Sequence, residues 1–154
     1  MAIGQREPAR TPAERRRDVE RRLEHDVDLW VATASADGVA HLVPLSFHWD
    51  GETILLATSP ASPTGRNLEA TGSIRLGIGL VRDVTMIDGD VEPLDLDELP
   101  AERAGAFAAR AGFDPRESRG RMRWYRVRPR SIQAWREVEE LDERQLMTDG
   151  RWLA

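Results

Sequence analysis

Two tight turns constrain this chain more than any other feature. Leu29 to Ala34 is a short apolar run closed by Ser35-Ala36-Asp37-Gly38, a turn in which glycine takes positive φ at no steric cost. Val39 to Trp49 follows and stops at Asp50-Gly51, and Thr53 to Thr58 begins at once. Strands joined this closely pair antiparallel, because a parallel partner needs a crossover of a dozen residues or more. The spacing therefore predicts an antiparallel meander.

The same reading extends along the chain. Ser73 to Leu80 and Val84 to Val91 are predicted strands joined through Val81-Arg82-Asp83, and Arg123 to Trp135 is a long last one. Thr11-Pro12-Ala13-Glu14 reads as a capped helix start, with Val19, Leu23 and Val27 as one narrow apolar stripe. The charged run Arg15 to Arg22 is expected on that helix's solvated face. A short helix is predicted from Arg66 to Ala70, ended by Thr71-Gly72, and a third over Pro100 to Ala111, stopped at Gly112. Leu94 to Leu99 is an acidic connection, and Asp149-Gly150-Arg151-Trp152 a turn leading into a terminal strand. Six strands with few helices between them predict a β-dominated α+β fold, a six-stranded antiparallel barrel with flanking helices. The 154 residues are the length of one domain, expected over 11–154 behind a short flexible tail, 1–10.

On the second strand, His41, Val43, Leu45, Phe47 and Trp49 share one face, expected to be core, while Leu42, Pro44, Ser46 and His48 share the other. Pro44 has no backbone donor, so it marks an edge, a bulge or a place where something other than a strand lies alongside.

Several function classes are excluded early. A net charge of -5 argues against nucleic acid as a partner, and no cysteine is present for a disulfide, thiolate nucleophile or thiolate-bound metal. No apolar run approaches the ~20 residues of a membrane span, and Met1 to Arg10 lacks a signal-peptide core, so no membrane partner and a cytoplasmic location are expected. His41 and His48 fall on opposite strand faces and do not jointly chelate a metal; each reads as a rim histidine, structural or a donor to a ring or carbonyl. His25 lies on the charged helix and is expected to be exposed. No G-x-S-x-G elbow surrounds any serine.

The loop "TSPASPTGRNL" carries the richest chemistry. Ser59, Ser62 and Thr64 offer hydroxyls, Gly65 permits close backbone approach, and Arg66 stands at a helix start whose free N–H groups favour an anion. These residues form either a phosphate cradle or a Ser/Pro turn with Thr64 as N-cap and Arg66 on the surface. Farther on, Arg119 to Arg130 holds six arginines without an acidic residue, and Arg126, Arg128 and Arg130 share a face if extended. That stripe is a solvated or dimer-facing strand, a contact for a phosphate or acidic coenzyme tail, or a nucleic-acid patch.

The order of "HLVPLSFHWDG", "ILLATSPASPTGRNLEATGSIRLGIG" and "DVTMIDGDVE" resembles the pyridoxamine 5'-phosphate oxidase-like family over about Asp28 to Val91. The ending "VRPRSIQAWREVEELDERQLMTDGRWL" is similar to the C-terminal stretch of small members of this group. The resemblance implies a split β-barrel homodimer that holds FMN, or the deazaflavin coenzyme, at the subunit interface. By position it places the ring against His41, Val43, Pro44 and Ser46. It places the phosphate near Ala57, Thr58, Ser59, Ser62, Thr64, Arg66 and Asn67; from the arginine stripe, Arg128 is the candidate for a further cation.

Many relatives carry lysine at the position of Thr64, so here Arg66 must supply most of the charge. The activity implied is a flavin- or deazaflavin-dependent oxidoreductase acting on a small molecule. The alternative is a non-catalytic flavin- or heme-binding dimer, or one without cofactor. Pyridoxamine phosphate oxidation itself is not expected, because no convincing arginine and histidine pair stands near the C-terminus.

Overall fold

The computed structural model describes residues 7–154; Met1 to Arg6, and with them most of the expected tail, lie outside the described residues. Helix α1 (Pro12–His25) starts as its sequence dictates. Thr11 Oγ1 accepts from Glu14 N–H, and the Glu14 carboxylate accepts from Thr11 N–H. Val19 and Leu23 are buried, whereas Val27 lies past the helix end and is exposed. The expectation of a solvated Arg15 fails. Its guanidinium is buried and donates to the carbonyls of Arg10, Ala134, Glu140 and Asp142, so the cost of burial is offset by filled donors.

The strands are β1 (Asp28–Ala34), β2 (Ala40–Ser46), β3 (His48–Trp49), β4 (Ile54–Thr58), β5 (Ser73–Leu80), β6 (Asp83–Leu94), β7 (Arg123–Arg136), β8 (Gln145–Thr148) and β9 (Arg151–Trp152). Helices α2 (Pro63–Thr71) and α3 (Ala101–Ala111) complete the fold. The sheet runs β2-β1-β5-β6-β7-β4-β3, with β8 added to β7 and β9 to β8, and every ladder is antiparallel. β2 also comes close to β4 with no ladder between them. The sheet thus curls into a split barrel around Leu23, Val31, Phe47, Leu56, Leu76 and Tyr125. A second cluster, Leu55, Ala57, Phe107 and Trp124 among others, seats α3 on the outside of β4 and β7.

Six strands were expected and nine are present among the described residues. The predicted second strand is interrupted at Phe47, whose N–H donates to Val27 O at 3.0 Å, one step beyond the Asp28–Ser46 pair, and whose ring is fully buried. On its expected core face, Val43, Leu45 and Trp49 pack against the core while remaining partly exposed. β8 and β9 form a hairpin around Asp149-Gly150, both at positive φ. Pro44 sits on the edge strand opposite Trp30, where its missing donor breaks no ladder.

Candidate functional site

Helix α2 stands at the seam between β2 and β4, and the loop before it is tightly built. Ser62 N–H and Ser62 Oγ both donate to Ser59 O, at 3.1 and 2.7 Å, and Ala61 N–H donates to Ser59 Oγ at 3.1 Å. The N-cap is Ser62, whose Oγ accepts from Gly65 N–H at 3.0 Å, and not Thr64 as one sequence reading had it. Thr64 instead is buried within the first turn. Gly65 decides this geometry: a Cβ there would lie 2.1 Å from Ser59 O, so only glycine lets the helix rest on its own loop.

Two side-chain ties set α2 across the seam. Thr58 Oγ1 and Ser62 Oγ are 3.3 Å apart at the β4 end. On the other side Asn67 Nδ2 donates to Thr33 Oγ1 at 3.0 Å, and Thr33 stands opposite His41 in the β1–β2 ladder. The outer face is fixed to β7, where Glu69 Oε1 accepts from Arg123 Nη1 at 2.7 Å and from Tyr125 Oη at 3.1 Å. Burial first, and then the Glu69 carboxylate, push the Tyr125 phenol well above its ordinary range, so it stays protonated.

Thr58, Ser59, Ser62, Thr64, Arg66 and Asn67 are thereby gathered at α2, with His41 linked to them through its ladder partner Thr33. Arg66 is exposed and folds back so that Nη1 donates to Ala61 O at 3.1 Å, which holds its guanidinium over the loop. Val43 and Pro44 continue along β2 away from α2, and Ser46, at its far end, donates to Asp28 Oδ1 at 2.6 Å. Ala57 points its methyl into the α3 cluster, leaving only its backbone toward the site. Arg128 is not brought into the group. Thr58 opposes Arg123 and Ile54 opposes Val127, so Arg128 sits at the opposite end of β4, on the order of 15 Å away at strand rise.

His48 is engaged elsewhere. Its Nδ1 accepts from Arg103 Nε at 2.9 Å, and Arg103 also reaches Asp50 and the Thr53 hydroxyl and carbonyl. Burial, then Arg103 and Arg110, hold its pKa below the ordinary histidine value against the opposing pull of Asp50. It is a neutral acceptor that fastens α3 to the β3–β4 turn. Thr33, the residue that positions Asn67, was missed in the sequence; its one signal is a hydroxyl in an otherwise apolar run.

Taken as a donor set, Arg66, Ser59 Oγ and the Thr64 backbone N–H can meet an anion at the start of α2, since Pro63 has no N–H and Gly65 N–H is taken by Ser62. The edge strand beside them packs Val43 against the core and exposes Pro44 on the opposite face, so Pro44 is the side chain it offers to a flat ring. A single cation, a hydroxyl and a helix amine next to an apolar strand fit a phosphate-bearing ring cofactor. They do so without the second charge a lysine would bring. Among the described residues, no group of three or more histidines and carboxylates is placed to hold a metal, and no helix is long and apolar enough to cross a membrane.

The family model described as pyridoxamine 5'-phosphate oxidase matches residues 18–136. No curated protein matches in sequence. Among solved structures, an F420 reductase is similar at 19% identity and TM-score 0.62, over 73% of this chain and 94% of its own. General Stress Protein 26 from Bacillus anthracis is similar at 13% and 0.57, over 77% and 92%. PhzG from Burkholderia lata, solved with tetrahydrophenazine-1-carboxylic acid, is similar at 22% and 0.57, over 88% and 82%. At these identities the likeness establishes the shared split-barrel fold.

Proposed function

This chain belongs to the pyridoxamine 5'-phosphate oxidase family, and from that premise we propose that it is an FMN- or deazaflavin-dependent oxidoreductase acting on a small molecule. The observation that supports the reading is the grouping of Thr58, Ser59, Ser62 and Arg66 at the start of α2, with Asn67 tying the helix to Thr33 opposite His41, beside the unladdered seam. The bound cofactor would supply hydride or electron transfer. The protein's part is to hold the phosphate with Arg66, Ser59 Oγ and the Thr64 N–H, to seat the ring on the β2 edge at Pro44, and to keep water from it. FMN is the first choice of cofactor. The deazaflavin coenzyme is the alternative, and an F420 reductase among the structural neighbours keeps it in view.

A homodimer fits an exposed apolar face on β1, β2, β5 and the following turn. Trp30, Leu42, Leu80 and Val81 are 53%, 59%, 71% and 96% exposed there, an arrangement that marks an interaction surface. A second reading, a split-barrel dimer that binds flavin or heme without turnover or has no cofactor, is favoured by one feature: Thr64, in the position of the relatives' lysine, is buried and uncharged.

Absorption spectra of purified protein titrated with FMN, the deazaflavin coenzyme and heme separate these readings. Saturable binding of FMN or deazaflavin, followed by its reduction with a nicotinamide or reduced deazaflavin donor, supports the enzyme. Binding without reduction supports the second reading, and no binding at tens of micromolar overturns the first. Arg66→Ala is expected to weaken binding roughly tenfold by removing a charge-assisted contact.

A further inference from the structure

Arg126, Arg128 and Arg130 alternate along β7, and carboxylates from β6 answer only two of them. Arg126 Nη2 lies 2.8 Å from Glu92 Oε2, and Arg130 Nε lies 3.4 Å from Asp90 Oδ2. Arg128 is exposed and has no carboxylate partner among the described residues. It lines a depression of about 570 Å³ between α1, the β3–β4 turn, β7 and the β8–β9 hairpin. Trp49 and Trp152 form apolar walls there, both half-buried and packed against the core. The Arg16 guanidinium lies 4.5 Å from the centroid of the Trp152 ring and covers that indole face by a cation–π contact, so Trp49 is the indole left to take a ring.

The charges around the depression do not cancel contact by contact. Glu20 is taken by Arg16 at 3.2 Å, and Arg130 by Asp90. Arg128 and Arg151 remain as unpaired guanidinia among the described residues, and Glu52 and Asp149 are further carboxylates lining the depression. A guanidinium beside an indole recognises a carboxylate attached to a ring: the carboxylate takes two parallel N–H donors and the ring lies on the tryptophan. Two carboxylates on the rim oppose a second or third negative charge on the same ligand.

We propose that this depression is a second ligand site, separate from the α2 seam, that takes a monoanionic aromatic acid, with its ring against Trp49 and its carboxylate on Arg128. The volume suits a fused bicyclic ring. The proposal does not depend on the flavin reading, because Arg128 stands at the far end of β4 from Thr58.

The test titrates the full chain with 1-naphthoate, followed by calorimetry and by the indole N–H resonances of isotopically labelled protein. Saturable binding is expected, with the Trp49 indole shifting and Trp30 unmoved. Arg128→Gln, at an exposed and unpaired position, is expected to keep the wild-type melting temperature and to weaken naphthoate about tenfold. Neutral naphthylmethanol and the dianion naphthyl phosphate are both expected to bind more weakly than naphthoate. Arg66→Ala and saturating FMN are expected to leave naphthoate binding unchanged. Absent binding at millimolar naphthoate, equal affinity for all three probes, an unaltered Arg128→Gln, or competition by FMN each overturns the proposal.

Discussion

The Asn67 side-chain amide donates to Thr33 Oγ1 at 3.0 Å, across 34 residues of sequence, and ties α2 to β1 beside the edge strand β2. Thr33 is buried and pairs with His41 on its other side. The tie therefore links the helix that carries Arg66 to the strand expected to bear the ring. Thr33→Val keeps the shape and removes the acceptor. It is expected to cost about 1–2 kcal/mol, because the half-buried amide loses its partner, as read from urea unfolding. Under the flavin proposal the same variant weakens FMN with Arg66 intact, which an absorbance titration reads directly.

A titratable contact holds α3 to the barrel. His48 Nδ1 accepts from Arg103 Nε only while the imidazole is neutral, and its pKa is held down by burial, Arg103 and Arg110 against the pull of Asp50. The folded-state value lies below the unfolded one, so this contribution is complete above the unfolded pKa near 6.5. It is lost as pH falls through the folded value. Thermal melts between pH 7 and 5 should show falling stability on the acid side. In His48→Asn, which keeps an acceptor near the Nδ1 position and cannot titrate, the slope in that window should flatten. An unchanged slope would assign the acid sensitivity to other groups.

What could be read in the sequence was local chemistry. The capping box at Thr11 and the hairpin turn at Asp149-Gly150 are formed by residues within a few positions of one another, so their side chains announce them. Arg15 could not be read this way. In a run of arginines it looks solvated, and the carbonyls that receive it at 134, 140 and 142 are more than a hundred residues distant. Ser62 and Thr64 both qualify as caps by type, and the choice falls to the close packing of Gly65 on Ser59 O, a three-dimensional fact. The residues of the loop before α2 come together because they are neighbours in sequence, whereas Arg128, put beside them only as a cation from the arginine stripe, is separated by the β4–β7 register.

Glu140 is the centre of the network that closes the barrel base. Its carboxylate accepts from Arg10 N–H at 2.8 Å, Arg10 Nε at 3.0 Å, Arg10 Nη2 at 2.7 Å and Arg136 N–H at 2.8 Å. Burial alone would raise its pKa, but the Arg10 and Arg136 hydrogen bonds win and bring it from 4.5 down to about 2. Because the folded value is the lower, the stabilisation is present above about pH 4.5 and disappears as pH falls toward 2. It amounts to on the order of 3 kcal/mol at neutral pH. Glu140→Gln should remove about that much at pH 7 and almost nothing near pH 2, and urea unfolding at the two pH values measures the difference.

The last prediction joins fold and site at Gly65. Elsewhere in a helix, glycine to alanine stabilises by roughly 1 kcal/mol through propensity. Here the new methyl would sit 2.1 Å from Ser59 O and 2.7 Å from Pro60 Cα, both backbone atoms that cannot swing aside as a side chain does. Relief requires the first turn of α2 to lift from its loop. That movement would break the Ser62 cap and carry Arg66 away from Ala61 O. Gly65→Ala is therefore expected to destabilise by roughly 1–3 kcal/mol despite the better propensity, measured by urea unfolding, and to weaken FMN at least as much as Arg66→Ala does. A stabilised Gly65→Ala protein with full cofactor affinity would mean that the loop and helix are free to separate, and the site would then have to be built on something other than their contact.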